Sequence, residues 1–181
     1  MATWKIDPVH ATADFAARHM MVAIVRGGFK GITGTIEFDP AKPEAARVEA
    51  VIDTRTMTST GMDQRDAHLK SPDFLDVEKY PTITFKSTQV TVTGENTAKV
   101  TGNLTIRDVT RAVVIDTEFL GVLKGLDGQN HGGFTGTTKI NREDWGLTWN
   151  MALETGGWLV GKEITITLDV EVVPATEAVP A

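Results

Sequence analysis

The chain has 181 residues, 41% apolar and 23% charged, with a net charge of −6 and no cysteine. This suits a single soluble domain with its own core, and the absence of a basic cluster argues against nucleic acid or an anionic membrane surface as main partner. Disulfides, thiolate catalysis and thiolate-bound zinc are excluded, no apolar run approaches the ~18 residues of a membrane helix, and an N-terminus without a basic or apolar leader region makes a cytoplasmic chain the expectation, a periplasmic one only if a leader was removed.

Trp4 to Asp7 is a short apolar start that Pro8 is expected to close. Residues 11–17 alternate weakly as a strand, and 19–25 suit a helical turn or bend before Gly27-Gly28. From Phe29 the period of two is clean: Ile32, Ile36 and Phe38 share one face, Thr33, Thr35 and Glu37 the other. After a two-proline turn, Val48, Ala50 and Ile52 form the apolar face of a strand over 47–54.

Residues 60–85 break the pattern. Thr60-Gly-Met-Asp63 reads as a capping box. Ser71-Pro72 repeats a helix-start signal, and Tyr80-Pro81 ends the segment, because a residue before proline is pushed to extended geometry. A short helical insert around 61–76 is expected, with Met62, Leu69 and Phe74 facing apolar surroundings.

Strands then resume. Ile83 and Phe85 are followed, past a bend, by Val90 and Val92; a turn at 94–96 leads to Val100, Gly102, Leu104 and Ile106; Arg107-Asp108 is a tight turn before Val113, Ile115 and Phe119. The five glycines of 121–133 predict a long loop, 134–140 a strand, and 141–158 an irregular stretch holding Trp145, Trp149 and Trp158. Ile164, Ile166, Leu168, Val170 and Val172 alternate strictly with polar residues in the strongest strand, and 174–181 reads as a disordered tail. About eight strands joined by turns, none followed by a long amphipathic helix, predict an all-β antiparallel domain over 1–173, either a sandwich or an up-and-down barrel.

No cluster in the sequence has a catalytic or metal-binding spacing. His10, His19, His68 and His131 are dispersed, and no pair stands at i, i+3 or i, i+4. The carboxylates of the insert read as helix caps and solvated charge. The glycines form no phosphate loop, and the serines lie in no nucleophile elbow. The inward apolar faces fit either a packed core or the wall of a partly empty barrel, which at eight strands is just wide enough for one small ligand.

Several motifs in order carry a resemblance over residues 4–173: Trp4-x-Ile6-Asp7-x-x-His10, Phe15, Arg18-His19, Gly28-Phe29, Gly34-Thr-Ile-Glu-Phe-Asp39, Asp66-x-His68-Leu69-x-Ser71-x-Asp73-Phe74, Tyr80-Pro81-x-Ile83-x-Phe85, Val100-Thr-Gly102-Asn-Leu-Thr-Ile106, Val109-Thr110 and Val160-Gly161. The chain resembles the YceI-like family, bacterial lipocalin-like proteins described as polyisoprenoid-binding. The resemblance implies an eight-stranded antiparallel lipocalin-like barrel around an apolar tunnel, with no catalytic residue, metal or other cofactor. It also implies a hydrophobic small-molecule ligand and pairing as a homodimer. An isoprenoid such as a polyprenyl phosphate or quinone would lie tail-inward, for transport or storage. Scavenging of fatty amides or antibiotics is the alternative, and an enzyme acting on a bound prenyl chain a third reading. The tail would meet Phe15, Phe29, Ile32, Ile36, Phe38, Ile52, Phe74, Phe85, Leu104, Ile106, Phe119, Phe134 and Ile166. The head group would meet Arg18, Arg65 and His68.

Overall fold

The computed structural model describes residues 1–175. Its strands are β1 (Ala2–His19), β2 (Ala23–Phe29), β3 (Ile32–Phe38), β4 (Arg47–Asp53), β5 (Thr82–Val92), β6 (Thr97–Ile106), β7 (Val109–Lys124), β8 (Asn130–Asn141) and β9 (Val160–Pro174), and one helix, α1 (Asp63–Lys70), stands between β4 and β5. β2 pairs with Ala13–His19 of β1, and β3 pairs with Ala2–Lys5 on the same edge. Together β2 and β3 make one bent stave. Eight antiparallel staves result, and the pairing of β1 with β9 closes them. Closure decides for the barrel over the sandwich, since a barrel leaves no sheet edge unpaired.

The period-two pattern drives this arrangement. On β6, Val100, Gly102, Leu104 and Ile106 are buried while Thr101, Asn103 and Thr105 are not. Gly102 is needed in that row: the Phe85 ring from β5 lies over it, 2.4 Å from where a Cβ would stand. The buried apolar residues gather in two clusters. One, with Phe29, Met57, Phe74, Leu104 and Trp145, lies toward α1; the other, with Ile6, Ile32, Ile36, Phe38 and Val172, lies toward the opposite end.

Several expectations are corrected. Pro8 does not close the first strand, because β1 carries it within a bulge where no ladder hydrogen bond is asked of it. Residues 20–22 form the turn of a hairpin in which Met20 and Met21 take left-handed φ of 49° and 64°. The glycines of 121–133 mostly sit in strands, leaving only 125–129 as the β7–β8 turn. The last strand runs through Pro174, which pairs with Trp4, and the amide of Ala175 donates to the Thr3 carbonyl at 3.0 Å. The tail expected beyond these, 176–181, lies outside the described residues.

The insert is helical only at Asp63–Lys70, and its N-cap is Met62, without a side-chain cap. Thr60 serves in reverse: its amide and hydroxyl, with the Ser59 hydroxyl, donate to Asp66 in the helix. The Thr60 hydroxyl first, then that of Ser59, holds the Asp66 carboxyl below the usual carboxylate range. Ser71 starts no second helix. It ends the first, with its hydroxyl and amide both donating to the His68 carbonyl at 2.7 and 3.0 Å.

Thr54, 1% exposed, fastens the far end of the insert to the barrel. Its amide donates to the Pro81 carbonyl at 2.9 Å and its hydroxyl to the Tyr80 carbonyl at 3.0 Å. Thr54→Val keeps the shape and removes one donor, so urea unfolding should give a loss of about 1–2 kcal/mol.

Candidate functional site: the barrel interior

The inward faces do not close on one another. They leave a cavity of about 740 Å³ through both apolar clusters, within the usual range of ligand pockets. Every residue expected to meet a tail lines it, as do Arg18, Arg65 and His68.

The two ends differ in chemistry. Away from α1, Phe38, Phe119 and Phe134 form an aromatic triangle with centroids 4.9, 5.4 and 5.2 Å apart. Beyond it the wall includes Pro40, Pro43 and the 94–97 turn, with Glu95. At the α1 end, His68 stands edge-on to Trp149 at 4.4 Å and to Phe74 at 5.0 Å. α1 supplies His68 and Leu69 to this lid. Eight residues make a marginal helix in isolation, so it depends on this packing and on the Thr60–Asp66 contacts.

The head-group candidates are differently engaged. Arg18 is exposed at the end of β1, where its backbone lies against Gly161. Arg65 is half-buried, and its guanidinium donates to the Thr60 hydroxyl at 2.8 Å and the Thr60 carbonyl at 2.7 Å. His68 pairs through Nε2 with Asp73 at 2.9 Å. Among the described residues no hydroxyl bonds to the His68 ring.

Sequence reasoning missed Arg142, which lines the same end and is 4% exposed. Its guanidinium donates to the carbonyls of Gly161 at 2.9 Å, Val160 at 3.4 Å and Leu147, and lies over the Phe74 ring at 5.9 Å. Burial pulls its pKa down, yet a guanidinium stays charged at neutral pH. Among the described residues it has no carboxylate partner within 4.0 Å. A signal was present: Thr138, Ile140 and Arg142 share the inward parity of β8. The α1 end thus carries Arg18, Arg65, Arg142, His19 and His68, whereas the carboxylates in the wall are Asp14 and, at the other end, Glu95.

A YceI-like domain model matches residues 4–172. A UPF0312 protein of Pseudomonas savastanoi pv. phaseolicola is 44% identical over 138 residues, 76% of this chain and 71% of that one. Among solved structures, the YceI protein of Campylobacter jejuni superposes with a TM-score of 0.73 at 32% identity, covering 88% of this chain and 90% of that one. A polyisoprenoid binding domain from Saccharophagus degradans superposes with a TM-score of 0.68 over 96% of this chain and 99% of that one; at 15% identity this likeness shows the fold alone.

Proposed function

The chain belongs to the YceI-like family, and we propose that it is a non-catalytic carrier or store for a long isoprenoid lipid with an anionic head group. The observation that carries this is a continuous apolar tunnel with its cationic groups gathered at one end. The polyisoprenoid-binding domain that shares its fold supports the same reading. Each buried isoprene unit would contribute about 4 kcal/mol before association and ordering costs are subtracted, so the tail needs no specific polar contact. The head group needs a few donors at the mouth. Arg18 and Arg65 supply charge there, Arg142 supplies a field from behind the Phe74 ring, and His68, whose Nε2–H donates to Asp73, keeps its other ring nitrogen for the head group. A polyprenyl phosphate answers this arrangement better than a neutral quinone.

Trp149 lies in the cavity wall, half-buried against His68, so its fluorescence reports entry of a ligand. Titration with a polyprenyl phosphate and with the polyprenol of equal length should give saturable binding of both, the phosphate tighter by about tenfold. Arg65→Ala should weaken the phosphate about three- to tenfold, consistent with one partly solvated charged contact, and leave the alcohol nearly unchanged. Equal affinity for both lipids in wild type and variant would remove the anionic head from the proposal. Equal affinity for unrelated amphiphiles such as fatty amides would favour scavenging.

A further inference from the structure

A second cluster lies outside the tunnel, on the seam where β1 meets β9. Ile6 faces Val172 and Ala11 faces Val170, so Asp7 to His10 bulge out opposite Glu171 alone. Asp7 folds the bulge back on itself: its Oδ1 accepts from the Val9 amide at 2.9 Å and its Oδ2 meets His10 Nδ1 at 2.8 Å. His10 Nδ1 stands 3.8 Å from Glu171 Oε1. From the other flank β8 brings His131, whose Nδ1 lies 2.6 Å from the same Glu171 oxygen. The other ring nitrogen of His131 lies 3.0 Å from Asp127 Oδ1 in the β7–β8 turn.

We propose that this seam is a divalent transition-metal site, with zinc(II) as the probe that fits its donors. Asp7, His10 and Glu171 would be ligands, and His131 the fourth through Nδ1. Asp7, His10 and Glu171 each offer one donor atom within 4.8 Å of the other two. Tetrahedral zinc with bonds of about 2.0–2.1 Å separates its donors by about 3.3 Å, and the contacts of 2.8 and 3.8 Å bracket that spacing. The 2.6 Å contact of His131 with Glu171 must open by about 0.7 Å to admit an ion, a small side-chain adjustment. Asp127 would then hold the outer N–H of His131 and fix the ring, as carboxylates do behind zinc-bound histidines. Two imidazoles with two carboxylates select a borderline metal over magnesium or calcium, which take oxygen donors. Charge fits as well: among the described residues no lysine or arginine comes within 4.0 Å of the carboxylates of Asp7, Asp127 or Glu171, whose basic partners are the two histidines. An ion here would tie β1, β9 and β8 together across the line where the barrel closes.

Untagged, EDTA-treated protein titrated calorimetrically with zinc chloride near neutral pH should bind one equivalent at about micromolar Kd, and its Tm should rise with zinc as mass action requires. His10→Ala and Glu171→Gln should each weaken binding about 100-fold and His131→Ala at least about tenfold, while His19→Ala binds as wild type does. Far-UV circular dichroism of each variant confirms that the barrel is intact. Cobalt(II) provides a second readout, with visible absorption expected in wild type and absent in His10→Ala. No saturable binding to millimolar zinc, or binding undiminished in both His10→Ala and Glu171→Gln, would overturn the site.

Discussion

Ile166→Trp is expected to block lipid uptake while leaving the barrel folded. Ile166 lies on β9 between its partners Phe15 on β1 and Thr138 on β8, and all three line the tunnel. An indole there occupies space that a tail would otherwise fill. Displacing three or four methylenes removes about 2.5–3 kcal/mol, so affinity for a polyprenyl phosphate should fall about 100-fold or more. Overpacking ordinarily destabilises a protein because a dense core has nowhere to move. Here the added atoms enter a cavity, so Tm should stay within about 4 °C of wild type. Fluorescence titration and thermal unfolding of the same sample check both halves. Unchanged affinity in a folded variant would mean that the tail does not run past β9.

Arg142→Met should produce the largest loss of stability. The substitution keeps an unbranched side chain under the Phe74 ring but leaves the carbonyls of Gly161 and Leu147 without that donor, while the Val160 carbonyl keeps the Asn150 Nδ2 donor at 2.7 Å. Each buried unsatisfied group costs about 1–3 kcal/mol, and water reaching the cavity recovers part of it, so equilibrium urea unfolding should show a loss of about 3–5 kcal/mol. Arg142→Lys should recover little, because an ammonium cannot present the planar fork that reaches three carbonyls. A loss below about 1 kcal/mol would mean that Arg142 is not what fastens the 147–161 segment to the barrel.

The parts of this protein that could be read from sequence are those where one face of a strand is apolar. β3, β4, β6 and β9 alternate cleanly, and the inward residues named from that alternation line the tunnel, all but Gly102 and Val172. Local signals misled where a tertiary partner overrides them. Pro8 and the glycines after Gly121 look like strand breakers. They are accommodated because a bulge relieves Pro8 of ladder bonding, and because Gly132 and Gly133 pair across to Val172 and Glu171 in a closed sheet. Ser71-Pro72 carries a start signal, but the hydroxyl of Ser71 is already committed to His68 behind it.

Arg142 was hidden for another reason. Its charge suggests solvent, and only the parity of β8 points inward. His10 and His131 stand far apart in sequence; His131 comes to Glu171 through the β8–β9 pairing, and His10 only through the closure of β1 on β9. Period and spacing within one segment carry no trace of that closure. Among the described residues, no helix is long and apolar enough to cross a membrane.

The most direct test of isoprenoid carriage is organic extraction of the protein purified without added lipid, followed by mass spectrometry of the extract. A polyprenyl chain, bearing a phosphate or related anionic head and in molar proportion to protein, is the expected result. An extract holding only buffer components, from protein that also takes up no added polyprenyl phosphate, would contradict it.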